Sequence, residues 1–492
     1  MRRTLPALAA VLLATAALAQ TAVTADQDRE QMMGQLGITA LVPGVSGEPG
    51  RPNSANEDEG RATPYPHLPD PLRFADGRPV TAKSWPRRRV ELAEVLAREV
   101  YGRVPANVPG VDWQVTATDR EVIGFGQPVI ARRVIGTVDN RAAPQIAVRL
   151  RMTVVLPANA KGPVPVLMMF GRADFPAPSQ PDPDEIDRIN TAMRALLVRQ
   201  DPPLAAVFDR HQAFPLASAA PFRFPGPGEP PPIEQLIAAG WGYAMIDPLS
   251  AQEDDGSGLR RGIIGLTNRG RPRAPDDWGA LRAWAWAAGR GLDWLARDPN
   301  VDAKRIGIEG VSRYGKAALV ALAFDPRFAT GLIGSSGKGG ATPLRRNFGE
   351  SVGNLATGEY HWMAGNFLKY DTKGVSRPGL DAADLPVDSN ALIALVAPRP
   401  VFISYGVPEA GDAKWLDQRG SWMATLDAAR VYRLLGAAGP DTGDALTTPM
   451  PAVNEDRLDG ALAWRQHDGG HTDAPNMRHF LRWAGRFVTG PR

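Results

Sequence analysis

Arg305-Ile-Gly-Ile-Glu-Gly-Val-Ser-Arg-Tyr-Gly-Lys-Ala-Ala-Leu-Val-Ala-Leu-Ala323 decides how the chain folds. Its first half, Ile306 to Val311, is a short apolar run broken by glycines. Its second half, from Lys316 on, is a run of strong helix formers. The pattern predicts strand, sharp turn, helix. Ser312 falls at the turn, between Gly310 and Gly315. Such a turn lifts a serine oxygen above a parallel sheet at a helix N-terminus, where it can act as a nucleophile. The alternative is an idle serine in a structural strand-turn-helix. The G-x-S-x-G spacing is not met: Tyr314 takes the second glycine's place and Gly315 comes one later.

Working outward, Pro163 to Gly171 is a continuous apolar run, as in a strand buried on both faces, and Gly240 to Asp247 is the next. Trp278 to Leu295 precedes the elbow as a helix, and Thr330 to Ser336 follows it as a strand. Leu392 to Gly406 reads as a helix end and a strand, Thr425 to Leu435 as a helix, Ala461 to His467 as a last strand, and Met477 to Phe487 as a closing helix. Upstream, alternating runs at 112–138 and 145–156 predict antiparallel strands at one sheet edge, and 85–101 has helical spacing. Strand and helix alternate from about residue 150. The expected fold is therefore α/β: a mostly parallel sheet between two helical layers. Residues 172–234 form a proline-rich insertion with one helical island, Asp184 to Arg199, placed where functional loops and lids occur.

The chain has 492 residues, 43% hydrophobic and 22% charged, which are globular values. A net charge of +3, with both signs interspersed, makes nucleic acid an unexpected partner. There is no cysteine, so disulfides and thiol chemistry are excluded, and no His/Asp/Glu cluster has metal-ligand spacing. No cofactor is expected. Arg2 and Arg3, an apolar run from Leu5, and Ala17-Leu18-Ala19 make residues 1–19 a cleavable signal peptide. The expectation is an exported protein, periplasmic or secreted, a monomer with no membrane association after cleavage. Residues 20–85 are polar and read as an extended leader, and 86–492 as the catalytic domain.

A serine hydroxyl needs a base to take its proton and a carboxylate to hold the base's tautomer. Serine after one strand, acid after a later one and histidine after the last is the order of α/β-hydrolases. Here it reads Ser312, then Glu409 or Asp412, then His471. His471 follows a glycine pair at a strand end and is preferred over His467, which is inside the strand. Counting from the strand start favours Glu409; counting back from Trp415 favours Asp412, which is preferred. Arg313 would stabilise an oxyanion or grip an anionic substrate, or else pair with a nearby carboxylate. Lys316, one turn on, faces the same mouth.

Gly310-Val-Ser-Arg-Tyr-Gly-Lys-Ala317 resembles the G-C-S-R-x-G-K-x motif of glucuronoyl esterases, carbohydrate esterase family 15. Ser336-Gly-Lys-Gly-Gly-Ala, Arg346-Asn-Phe-Gly-Glu350, Tyr360-His-Trp362 and Arg465-Gln-His-Asp-Gly-Gly-His471-Thr extend the likeness over roughly 85–490. The resemblance implies an α/β-hydrolase fold and hydrolysis of (4-O-methyl-)glucuronic acid esters, as in lignin–carbohydrate linkages of glucuronoxylan. It implies a triad of Ser312, His471 and an acid, with Arg313 serving the oxyanion. It also implies that Lys316, Glu350 and Trp415 hold the glucuronate. Three positions depart, one of them Asn390, where related bacterial sequences often have histidine. Val311 replaces a cysteine of the fungal members, and Ser335 stands where many members carry a catalytic glutamate. The acid must then come from the later loop. An acetyl-xylan or general carboxylesterase is the alternative, and a non-catalytic glycan-binding protein a third reading.

Overall fold

The computed structural model describes residues 23–62, 68–123, 127–176, 183–212, 229–440 and 447–488. The segment read as a signal peptide lies outside them. A nine-stranded sheet runs in the order β1-β2-β3-β5-β4-β6-β7-β8-β9. The first three strands are β1 (Val111–Ile123), β2 (Gln127–Val138) and β3 (Arg149–Pro157), joined antiparallel to one another and to β5 (Gly242–Asp247). From β5 the sheet is parallel through β4 (Val164–Phe170), β6 (Val301–Val311), β7 (Thr330–Gly334), β8 (Val401–Tyr405) and β9 (Leu462–Gln466). The expected antiparallel edge and parallel centre are both present. β4, β7, β8 and β9 are buried along their whole length, so both faces must be covered.

On one face lie the helices Ala280–Leu295, Arg313–Phe324 and Gln418–Leu434, which bring Trp284, Leu319 and Trp422 into the larger core. On the other, Pro232–Ala238 and Ala474–Ala484 bring Leu236, Met477 and Phe480 against Leu167, Leu332 and Phe402. The three-layer arrangement is that of an α/β-hydrolase. Within the insertion, the expected island is the helix Pro183–Gln200, and a second helix, Leu204–Arg210, packs against it. Among the described residues no helix is long and apolar enough to cross a membrane.

The stretch read as an extended leader is not extended throughout: Ala25–Leu36 is a helix. Thr24 and Gln27 form a reciprocal capping box that satisfies two backbone donors at its start. Met32 and Ile38 are buried in the main core, and the Asp28 carboxylate accepts from Arg260 Nε at 3.2 Å and Tyr360 Oη at 3.0 Å. The polar composition hid the helix because only its Met32 side contributes apolar surface.

Candidate active site

Ser312, Ser335, Asp412 and His471 all follow the C-terminal ends of neighbouring parallel strands, where α/β sheets place their sites. Ser312 has φ 62° and ψ −130°, a conformation that costs a non-glycine residue on the order of 1–3 kcal/mol. The turn is held from both sides: Ser312 N–H donates to Gly334 O at 2.9 Å, and Ser312 O accepts from Lys316 N–H at 3.0 Å. The glycine spacing has a steric cause. A Cβ on Gly310 would lie 2.3 Å from Tyr314 O, and one on Gly315 would lie 2.6 Å from Gly334 O. Close approach of helix to strand is needed at residue 315, which is why the second glycine is displaced.

Asp412, not Glu409, meets the histidine. His471 Nδ1 lies 2.7 Å from Asp412 Oδ1. Asp412 Oδ2 accepts from Ser335 Oγ at 2.8 Å and from Gly406 N–H at 2.9 Å. A fully buried carboxylate is thus satisfied by three donors and keeps one orientation. Glu409 is exposed on the short turn Pro408–Ala410, and the reversal at Gly411 (φ 100°) sends the next acid inward. Ser335 acts here as a donor to that acid. His467 is buried, its Nδ1 accepting from Gly469 N–H at 3.1 Å, and it does not join the group.

Arg313 is half-exposed, and its Nη1 donates to Asp254 Oδ2 at 2.5 Å. The carboxylate pairing expected of Arg313 is therefore present, and this one bond leaves its other N–H donors open among the described residues. Asp254 Oδ1 also lies 2.9 Å from His361 Nε2 and accepts from Trp362 Nε1 at 2.6 Å. Burial opposes its charge, but the bonds from His361, Trp362 and Arg313 outweigh that and hold its carboxyl at about 2. The Trp362 ring lies 5.4 Å from the Arg313 guanidinium carbon and 5.5 Å from Lys316 Nζ.

Lys316 is buried. Its Nζ donates to Lys338 O at 2.6 Å and lies 3.4 Å from Glu350 Oε2, which also accepts from Lys338 N–H at 3.2 Å. Glu350 N–H in turn donates to Trp415 O at 2.9 Å. The three residues carried over for substrate binding therefore form one contiguous group. Asp254 and Trp362 were not assigned roles from sequence. Trp362 stood in the Tyr360-His-Trp362 match; for Asp254 the signal was the acidic run Glu253-Asp254-Asp255 after β5, and nothing in it distinguishes the middle carboxylate.

A model described as "Glucuronyl esterase, fungi" matches residues 273–436. A carbohydrate esterase, MZ0003, from an unknown prokaryotic organism is 31% identical over 451 residues, covering 89% of this chain and 94% of that one. The chain belongs to the glucuronoyl esterases, carbohydrate esterase family 15. Another relative, 4-O-methyl-glucuronoyl methylesterase 1 of Phanerochaete chrysosporium, is 34% identical over 168 residues, 32% of this chain and 33% of that one. Among solved structures, a family 15 glucuronoyl esterase from Teredinibacter turnerae superposes with a TM-score of 0.76 at 40% identity, covering 94% of this chain and 99% of that one. The elbow, Lys316, Glu350 and Trp415 fall inside the stretch matched by the family model; His471 falls beyond it.

Proposed function

We propose that this chain is a serine esterase that hydrolyses esters of (4-O-methyl-)glucuronic acid, as in the links between glucuronoxylan and lignin alcohols. Ser312 Oγ attacks the uronoyl carbonyl carbon and its proton passes to His471 Nε2. Asp412 holds the Nδ1–H tautomer and stabilises the imidazolium. The oxyanion is met by the Arg313 guanidinium and by backbone N–H groups at the start of the following helix. The alcohol departs with the proton from His471. Water then attacks the acyl-enzyme and the uronate is released. Lys316, Glu350 and Trp415 hold the sugar. The observation that carries this reading is the Asp412–His471 pair at the same sheet end as a strained serine, whose neighbouring guanidinium is paired with Asp254.

The test is turnover of methyl or benzyl glucuronate by the wild type and by Ser312→Ala. Loss of turnover by about 10⁴-fold or more is expected; equal rates would overturn the reading. Labelling of Ser312 by a fluorophosphonate checks the nucleophile separately. A second reading, an acetyl-xylan or general carboxylesterase, has one point in its favour: the relative MZ0003 is named only as a carbohydrate esterase. Arg313 and the buried Lys316–Glu350 pair, which together can donate to and accept from sugar hydroxyls, argue for the glucuronoyl group, since an acetyl group offers no hydroxyl to meet. Preference for p-nitrophenyl acetate over methyl glucuronate at matched concentration would reverse that choice. The charged, apolar and Ala-x-Ala-like order of residues 1–19 supports export to the periplasm or beyond.

A further inference from the structure

Two buried acids take no part in the chemistry above. Glu309 lies on β6, three residues before Ser312, and Asp473 lies two residues after His471, at the start of the helix Ala474–Ala484. Each is only 4% exposed. The in-register neighbours of Glu309 are Met169 on β4 and Leu332 on β7, so its side chain enters the apolar layer that Met477 and Phe480 cover. There it lies against Asp473, and each carboxyl perturbs the other. Asp473 Oδ2 is buried and meets no N–H or hydroxyl donor, which leaves the neighbouring Glu309 carboxyl as the group that could supply one.

Two carboxylates have only acceptors to offer, so one of the pair must carry a proton. Its position follows from the surroundings. Asp473 stands at a helix N-terminus, where the backbone dipole favours negative charge. Glu309 is flanked by Met169 and Leu332, and burial together with the nearby Asp473 charge pushes its carboxyl well above the ordinary range. No Lys or Arg compensates either group among the described residues. The turn also carries His467, whose charged neighbours are Asp412, Asp468 and Arg465 on β9; none of these acts on Glu309 or Asp473.

We propose that protonated Glu309 is a positioning residue: its O–H donates to the Asp473 carboxylate and fastens the Gly-Gly-His471 turn to the strand that carries Ser312. The same helix start is tied to the other two strands by Asn476, whose Nδ2 donates to Ser404 Oγ at 2.8 Å and Arg465 O at 3.1 Å. Those amide bonds are indifferent to pH; the Glu309 bond is not. When Glu309 loses its proton, two carboxylates repel in an apolar layer and the turn parts from the elbow. The reading rests on His471 being the base.

The test compares wild type, Glu309→Gln and Glu309→Ala on methyl glucuronate across pH. An amide donates the same bond without titrating. Glu309→Ala is expected to lower kcat by 10- to 100-fold, on the order expected for a misplaced catalytic group, with KM little changed. Glu309→Gln should restore most of that at neutral pH and carry the alkaline fall in activity upward by about one pH unit or more. A shared alkaline limb for wild type and Glu309→Gln, or Glu309→Gln as slow as Glu309→Ala, would overturn the proposal. Melting in a Ser312→Ala background gives a readout that needs no turnover. The folded state keeps a proton that the unfolded chain releases, so stability falls as pH rises from the ordinary glutamate value through the raised one. Adding Glu309→Gln should flatten that fall, and equal slopes would sink the pair. A wild type that turns over no ester but still shows the melting difference would overturn the esterase reading and leave the pair standing.

Discussion

Arg313 and Lys316 leave the same helix three residues apart, yet the fold gives them opposite surroundings. The Arg313 side chain is 46% exposed and leans on Asp254; the Lys316 side chain is 4% exposed and lies against Glu350, itself 4% exposed. Both touch the face of Trp362. The guanidinium, with spare donors and solvent beside it, can follow a charge that develops during reaction. The ammonium is fixed by a backbone carbonyl and a buried carboxylate before any substrate arrives. In the proposed reaction, one cation serves the transition state and the other the ground state.

The largest expected effect tests the buried member. Lys316→Met leaves the buried Glu350 without its ammonium partner, and should destabilise the fold by roughly 3–5 kcal/mol, read as a drop in melting temperature. Adding Glu350→Leu should return much of that stability while KM for methyl glucuronate stays high. If Lys316→Met melts like wild type, the contrast in surroundings has no energetic meaning. Next comes Arg313→Ala. Melting should hardly move, while kcat falls by about 10²–10³. A change confined to KM would place Arg313 in ground-state binding and remove the contrast.

Asp254→Asn should act through Arg313 alone, lowering kcat by roughly tenfold, in line with loss of a charge-assisted bond. Because the Asp254 carboxyl is held at about 2, its contribution is present above the ordinary carboxylate value and lost only as pH falls through about 2. Profiles of wild type and Asp254→Asn should therefore run parallel between pH 5 and 9; a crossing would contradict the geometry. The smallest effect concerns Glu359, whose Oε2 is buried without a partner and whose carboxyl is raised to about 7, first by burial and then by Glu350. Below that value it is neutral; above it, a negative charge joins the site. Inhibition by the uronate product should weaken a few-fold between pH 6 and 8, and Glu359→Gln should abolish the trend.

The elbow was legible because glycine spacing and the change from apolar run to helix formers are local. So was the His471 turn, marked by its glycine pair at a strand end. The preference for Asp412 over Glu409 came from counting back from Trp415, and the reason behind it was hidden: a chain reversal at Gly411 carries one acid out and the next in. Asp254 was illegible for another reason. Its partners Arg313, His361 and Trp362 lie 59 to 108 residues away, and only the folded sheet end brings them together. The helix Ala25–Leu36 could have been found from its capping box, but its sparse apolar face gave no period to read.

That N-terminal helix bears on how the protein should be handled. Its Asp28 braces Tyr360, the residue that begins the His361-Trp362 wall against which both cations lean, and its Met32 fills the space beside Gly365. Trimming the polar N-terminus as dispensable would take away a strut from behind the catalytic wall, and a shortened enzyme could be well folded yet slow.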